Sequence, residues 1–424
     1  MFSDFVSKIK IAFTDSVLRK KIFFVLFALV IFRILAVIPI PGVDIFRLEQ
    51  FFSNNQFFGL LNIFSGGGLS NLSIVMLGVG PYITASIIMQ LLTIASPKLK
   101  ALYHEEGEAG RKKFSQYSRY LTVPLAVIQS FGFLLLLKNQ GIISDLSLAE
   151  SITNIAVVTA GSLLLMWIGE LISEFGIGNG VSLIIFGGIV ASIPTAVTEI
   201  WLNYDPSQIP LFLGFLVAAF LIILGVVIVT EAERPIPINY AKRVRGMKVY
   251  GGISTYLPLR VNQAGVIPII FALSVLLFPQ MILNFLVNVQ SSAFQAFSSF
   301  LLGIMNNPWF YSSFYFFLVF VFTYFYTAVT FDPDSIATNL QKNGAFIPGV
   351  RPGQTTSQYI GKVLTRITLV GATFLGLIAV LPLAMQGVTG NATLAIGGTA
   401  LLIVVSVVLD LVKKVDAQVS MREY

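Results

Sequence analysis

The chain has 424 residues, 56% of them hydrophobic and 11% charged, with a net charge of +7 and a mean hydropathy of +0.85. A water-soluble domain carries roughly 25% charged residues, so the composition excludes one and indicates an integral membrane protein. The absence of cysteine excludes disulfides and thiolate metal sites, and the single histidine, His104, cannot build a zinc site alone.

In chain order, Phe2–Lys21 is polar and basic, and the apolar run after it lacks a small-residue cleavage site, which predicts a retained first span rather than a signal peptide. A span needs about 20 mainly apolar residues. That rule predicts ten: Ile22–Ile38, Leu72–Ala95, Tyr120–Leu137, Ile152–Leu171, Val181–Val197, Pro210–Val229, Val261–Val287, Trp309–Thr330, Ile367–Met385 and Thr393–Leu411. Ahead of the second lie three consecutive glycines, Gly66–Gly68, and within it Gly78-Val79-Gly80-Pro81. Each glycine costs a helix on the order of 1 kcal/mol relative to alanine. Broken backbone at membrane depth is tolerated where it is buried in protein or lines a water-filled cavity, so this stretch marks a pathway.

All Lys and Arg except Arg33, Arg47 and Lys138 fall in the N-terminal arm, the loops Ser96–Arg119, Glu231–Arg260 and Phe331–Arg366, and the C-terminal tail. Positive charge marks the cytoplasmic side, which places both termini there. The external loop Glu199–Ile209 divides the spans into two sets of five, residues 1–198 and 199–424. An odd number per half makes the second half enter from the opposite face, which is the arithmetic of an inverted repeat with a path at its interface.

Catalytic chemistry has little to work with. There is no phosphate-binding G-x-x-x-x-G-K-[ST], no H-E-x-x-H and no Ser/His/Asp set. Gly176-Ile177-Gly178-Asn179-Gly180 follows a span, not a strand, and reads as a turn opening the fifth span. No enzyme, cofactor or metal site is predicted. Ion-coupled carriers keep ionisable groups near the midplane, but Glu170, Glu231 and Asp410 lie at span ends. Arg33 is the one charge well inside a span, placed to snorkel outward. Branched aliphatics fill the interior instead: Val79, Ile83, Val181, Ile185, Ile270 and Ile403. Each alone reads as an ordinary lipid-facing or core residue; together they could form an apolar constriction that seals by dewetting.

The cytoplasmic loops exceed ordinary connectors of 2–8 residues. Glu231–Arg260 clusters Lys242, Arg243, Arg245 and Lys248, with a strand-like Lys248–Tyr250, and Phe331–Arg366 holds GAFIPGVRPG around Arg351. Cations held out between Pro and Gly suit a large acidic partner, RNA phosphates being one candidate.

Nine stretches occur in a familiar order: IPIPGVD (Ile38–Asp44), NIFSGGGLSNLSI (Asn62–Ile74), GPYITASIIMQLL (Gly80–Leu92), EEGEAGRKKFSQYSRY (Glu105–Tyr120), GIGNGVSLIIF (Gly176–Phe186), NYAKR (Asn239–Arg243), LPLRVNQAGVIPIIFA (Leu257–Ala272), KNGAFIPGVRPG (Lys342–Gly353) and GGTALLIVV (Gly397–Val405). With them the chain resembles the bacterial SecY protein-translocation channels over essentially its whole length. The resemblance implies an all-α integral membrane protein of the inner membrane, with ten helices in two inverted pseudo-symmetric halves around an hourglass pore. It implies transport of unfolded secretory chains outward and release of apolar segments sideways into lipid.

By motif position the same resemblance assigns the pore ring to Val79, Ile83, Val181, Ile185, Ile270 and Ile403. Asn62, Ile63, Phe64, Ser65, Gly66, Gly67, Gly68, Leu69, Ser70 and Asn71 become an external plug, expected as a small, detachable, weakly anchored helix. Gln90, Gln129 and Asn262 are expected to hydrogen-bond across a closed lateral gate between the second and seventh spans. Lys242, Arg243, Arg245, Lys248 and Arg351 are expected to dock the ribosome, its RNA included, and the SecA motor. SecE and SecG subunits, signal sequences, nascent chains and the lipid bilayer are the other implied partners. Pro235 departs from the family, where many relatives carry a basic residue, and puts the conformation of its loop in question. An ion-coupled carrier, requiring a midplane charge, and a membrane scaffold without a sealed pore are the competing readings.

Overall fold

The computed structural model describes residues 14–41, 62, 65–69, 71–139, 143, 147–202, 209–241, 243–245, 248–250, 254–265, 267–287, 292–305, 307–389 and 392–420. Helix α1 (Ser16–Leu35) starts where the Asp15 carboxylate accepts from the Val17 and Leu18 amides at 2.7 and 3.0 Å, as an N-cap should. There follow α2 (Gly80–Ala95), α3 (Pro97–His104), α4 (Gly107–Asn139), α5 (Leu148–Phe175), α6 (Gly180–Leu202) and α7 (Ile209–Glu231). At the head of α5, Ser147 and Glu150 form a capping box. The Ser147 amide and hydroxyl each donate to Glu150 Oε2 at 2.8 Å.

Strands β1 (Glu233–Tyr240), β2 (Arg243–Arg245), β3 (Lys248–Tyr250) and β4 (Ser254–Arg260) come next, then α8 (Ile267–Val287), α9 (Ser292–Met305), α10 (Pro308–Thr330) and α11 (Pro333–Lys342). The chain closes with β5 (Ala345–Phe346), α12 (Gln354–Thr389) and α13 (Ala392–Ser420).

Every predicted span is occupied, wholly or in its larger part, by a helix. By length and composition alone, four stretches qualify among the described residues: Gly107–Lys138, Leu148–Phe175, Pro308–Lys342 and Gln354–Leu381. The pair α2 and α3 would add a fifth only if it were one span, and it is bent by 115° at Ser96. Helices α1 and α7 turn large apolar side chains outward, among them Phe23, Phe27, Leu216 and Phe220, all more than half exposed. Water does not tolerate a surface of that kind and lipid does, so this is a multi-pass membrane protein.

The helices pack in one pattern used twice. In the first five spans α4 packs on α2 and α5, α5 on α6, and α1 on α5 and α6. In the last five α10 packs on α8 and α12, α12 on α13, and α7 on α12 and α13. Replacing each helix by its counterpart five predicted spans on converts these contacts of the first set into the second, although α2 also packs on α5 and no matching α8–α12 packing is found among the described residues. The two sets meet where α8 packs on α2 and α4, and where α13 packs on α6.

Three expectations change. The segment Ser96–Arg119 is mostly helical, because α3 and the first turns of α4 extend it: a charged helix outside lipid carries no apolar run to announce it. The helix α9 lies in what reads as a connection between spans. Finally, the two long basic loops are one structure. Strand β1 pairs antiparallel with β4 on one side and with β5 on the other, where Asn239 opposes Phe346 and Tyr240 opposes Ala345. Ile236, Ile238, Leu259, Ala345, Ile347 and Ile360 give this platform its own apolar core. Pro235 is accommodated within β1 opposite Pro258 of β4.

Candidate functional site

Five of the six ring residues, Val79, Ile83, Ile185, Ile270 and Ile403, are buried in a single apolar cluster, and Val181 packs partly buried against it. They are supplied by α2 and the residue before it, by α6, α8 and α13, so both halves contribute. None of these side chains carries a hydrogen-bonding group, so none of them can bind water or a peptide by hydrogen bonding.

On one side of the cluster is a hollow of about 270 Å³ lined by both polar and apolar groups. Its lining includes Asn179, Ser182, Arg260, Asn262, Gln263 and Asp410, with Leu183, Ile267 and Val407 at its apolar edge. Those three stand within about one helical turn of Ile185, Ile270 and Ile403, so the hollow adjoins the ring. Ion pairs Lys413–Glu231 and Lys414–Asp410, each 2.8 Å, border it. Gly178 and Gly265, with φ of +97° and +61°, turn the backbone around it.

On the opposite side, beyond Ile185 along α6, lies the glycine-rich segment. A Cβ added to Gly66 would overlap the Phe32 ring of α1 and lie 2.9 Å from Gly188 Cα of α6. The segment departs from its expected form. Residues 65–69 are turns, not a helix, and are firmly seated. Ile63, Phe64 and Ser70 lie outside the described residues.

Main-chain and side-chain contacts fasten this segment. Arg33 Nη1 donates to Gly66 O at 2.6 Å, and Asn71 Nδ2 to Ala36 O at 3.2 Å. The Ile40 amide donates to Leu72 O and the Ile74 amide to Ile38 O, both at 2.9 Å, around the bridge Pro39–Ser73. Ser162 Oγ of α5 donates to Gly78 O at 2.9 Å. Leu69, Leu72 and Met76 are buried with Phe133, Leu137 and Val158. Arg33, expected to snorkel outward, instead donates to a backbone carbonyl of the glycine-rich segment. Its partner was missed in the sequence, although a lone cation within a span signals that one exists.

Among the described residues, no hydrogen bond joins Gln90, Gln129 and Asn262. Helices α2 and α8 do pack together, but Gln90 Oε1 and Asn262 Oδ1 are buried without a hydrogen-bond partner among the described residues. Asn262 Nδ2 instead donates to Gly265 O at 3.3 Å. The left-handed turn at Gly265 leaves that carbonyl free at the head of α8, and the asparagine takes the nearer acceptor. Gln129, on α4, is half-buried and joins neither of them.

Among the expected docking cations, Arg351 is exposed in a turn between Gly349 and Gly353, whose φ values are +81° and +98°. Arg243, Arg245 and Lys248 sit on the β2–β3 hairpin, where Arg245 opposes Lys248 and Arg243 opposes Tyr250. Lys242 lies outside the described residues.

Comparison with known proteins agrees with this architecture. A protein translocase subunit SecY of Mycobacterium leprae is 44% identical over 445 residues, covering 100% of this chain and 99% of its own. One of Streptomyces scabiei is 42% identical over 429 residues, covering 97% of each. Among solved structures, that of a protein conducting channel covers 93% of this chain and 91% of its own at a TM-score of 0.63 and 17% identity. Sec61 in a canine ribosome-channel complex from the endoplasmic reticulum covers the same shares at a TM-score of 0.59 and 15% identity. At those identities the two structures speak for the fold, while the family model described as SecY matches residues 73–412. With that match, and relatives above 40% identity along their whole lengths, the chain belongs to the SecY family.

Proposed function

We propose that the chain is the pore subunit of a protein-conducting channel of the cytoplasmic membrane, passing unfolded secretory polypeptides outward and releasing apolar segments sideways into lipid. The observation that carries this is that Val79, Ile83, Ile185, Ile270 and Ile403, from both halves, lie in one apolar core with Val181 against it, between a hollow lined by polar and apolar groups and a seated glycine-rich segment. In this reading the hollow faces the cytoplasm with both termini, and the segment around Gly66 is the plug.

The ring grips nothing because it offers no hydrogen bond, so a chain of any sequence can slide through it. An apolar signal helix can enter between α2 and α8, replacing their mutual packing. Its preference for the parted helices supplies the free energy of opening, since a ligand shifts an equilibrium only by its differential affinity. The channel performs no catalysis of its own in this scheme; a motor ATPase such as SecA or a translating ribosome drives it, docked on the platform at Arg351 and the β2–β3 hairpin. Relatives described in ribosome-bound complexes, the canine Sec61 and a yeast Ssh1 complex, support such docking. SecE and SecG complete the assembly.

The cysteine-free chain allows a direct test. A lone cysteine at Ile185 and, separately, at lipid-facing Phe220 is offered to an arrested secretory chain carrying one cysteine. A disulfide at Ile185 and none at Phe220 is the expected result. A bound chain that links at neither position would return the protein to the carriers or scaffolds.

A further inference from the structure

Arg33 stands in the last turn of α1, two residues before its end at Leu35, and is half-buried. Of the charges in the chain it is the one well inside a predicted span. Among the described residues no carboxylate pairs with it, and its guanidinium donates to Gly66 O at 2.6 Å. A charge at membrane depth is costly unless paired, and a hydrogen bond from a charged donor is among the stronger kinds.

The acceptor is held as firmly as the donor. Gly66 has φ of +66°, a left-handed conformation that aims its carbonyl, and its Cα side is pressed between Phe32, next to Arg33 on α1, and Gly188 on α6. Ser65 is buried, and its hydroxyl donates to Asn62 O at 3.0 Å while accepting from the Leu69 amide at 2.9 Å, fixing the turn that presents Gly66.

We propose that Arg33 is the latch of the closed channel: a positioning residue whose cation holds the plug in its seat through the Gly66 carbonyl. The proposal rests on reading the segment around Gly66 as the plug. Leaving the seat strips the guanidinium of its acceptor. Water, or the main-chain carbonyls of an entering unfolded chain, supplies the same chemistry, so the latch releases most readily when the pore is occupied.

The test compares resting conductance in planar bilayers for the full-length channel, Arg33→Met, Arg33→Lys, deletion of Asn62–Asn71, and the deletion combined with Arg33→Met. Arg33→Met is expected to raise resting conductance on the order of tenfold, the lower end of what a hydrogen bond to a charged group is worth. Arg33→Lys, which keeps a charged donor, restores most of the seal, and the combination leaks no more than the deletion alone. A sealed Arg33→Met beside a leaking deletion overturns the latch and leaves the plug standing. If the deletion itself does not leak, the plug reading fails and the latch with it. Added leak in the combination shows that Arg33 acts elsewhere. Arg33→Gln gives the same comparison if Arg33→Met does not accumulate. A lone cysteine replacing Leu69, 1% exposed in its seat, reads the plug directly: maleimide reaches it in the neutral variants and spares it otherwise, and equal protection in all overturns the proposal.

Discussion

The seat of the glycine-rich segment and the α2–α8 seam are built on opposite terms. At the seat, the polar groups of Arg33, Asn71 and Ser162 each hold a backbone carbonyl, and a strand-like bridge ties Pro39 to Ser73. Ser73 Oγ is the exception there, buried without a partner. On the seam side, Gln90 Oε1 and Asn262 Oδ1 have no partner among the described residues. Moving the segment therefore breaks hydrogen bonds, whereas parting α2 from α8 forfeits mainly apolar contact. An entering apolar helix restores apolar contact and cannot restore hydrogen bonds. On the proposed reading, the seam is the side that yields first, and the seat keeps the pore shut until a chain arrives to displace it.

The harshest way to break this contrast is Gly161→Val. A Cβ at Gly161 would overlap the Ile74 carbonyl oxygen, which is backbone and has no rotamer to retreat into. The expected cost is about 1–3 kcal/mol or more, as for other overpacked sites, seen as a lowered melting temperature together with a resting ion leak. An unchanged melting temperature would mean that residues 71–79 ride loosely on α5, and the seat would lose its distinction from the seam. Gly66→Ala is milder and more local. The left-handed φ alone disfavours alanine by roughly 1–2 kcal/mol, and the Phe32 ring must also move aside. Resting conductance should rise while the melting temperature barely changes; a sealed Gly66→Ala channel would show that the segment can be held by its other contacts.

How much of this could be read beforehand depended on what kind of group was involved. Val79, Ile83, Ile185, Ile270 and Ile403 were legible as interior positions because branched aliphatic side chains mark them by type, and one apolar core holds all five with Val181 against it; that they form a ring is the reading proposed above. The broken backbone before α2 was legible because glycine and proline act locally. The firm seating was not: its acceptors are carbonyls of Gly66, Ala36 and Gly78, and a backbone acceptor leaves no mark in residue identity. Nor could the platform be assembled from sequence, since Tyr240 and Ala345 meet across about a hundred residues and only two residue pairs join β1 to β5. Helix α3 escaped for a third reason, because its polar sequence PKLKALYH offers no apolar stripe to a scan for spans.

The smallest effect carries the opposite sign and tests the seam. Replacing Gln90 by Met removes a buried oxygen that bonds to nothing described and keeps the side chain's length. Losing an unsatisfied polar group is neutral to favourable, by at most about 1 kcal/mol here, because Gln90 is only half-buried as a whole. The gain accrues to the closed seam, so opening becomes harder by up to roughly fivefold. Export driven by a weakly apolar signal sequence should fall by that factor, while a strongly apolar signal, with binding energy to spare, exports as before. Easier opening in Gln90→Met would mean that the glutamine holds the closed seam together, as first expected from the family pattern. The seam and the seat would then be closed by the same means.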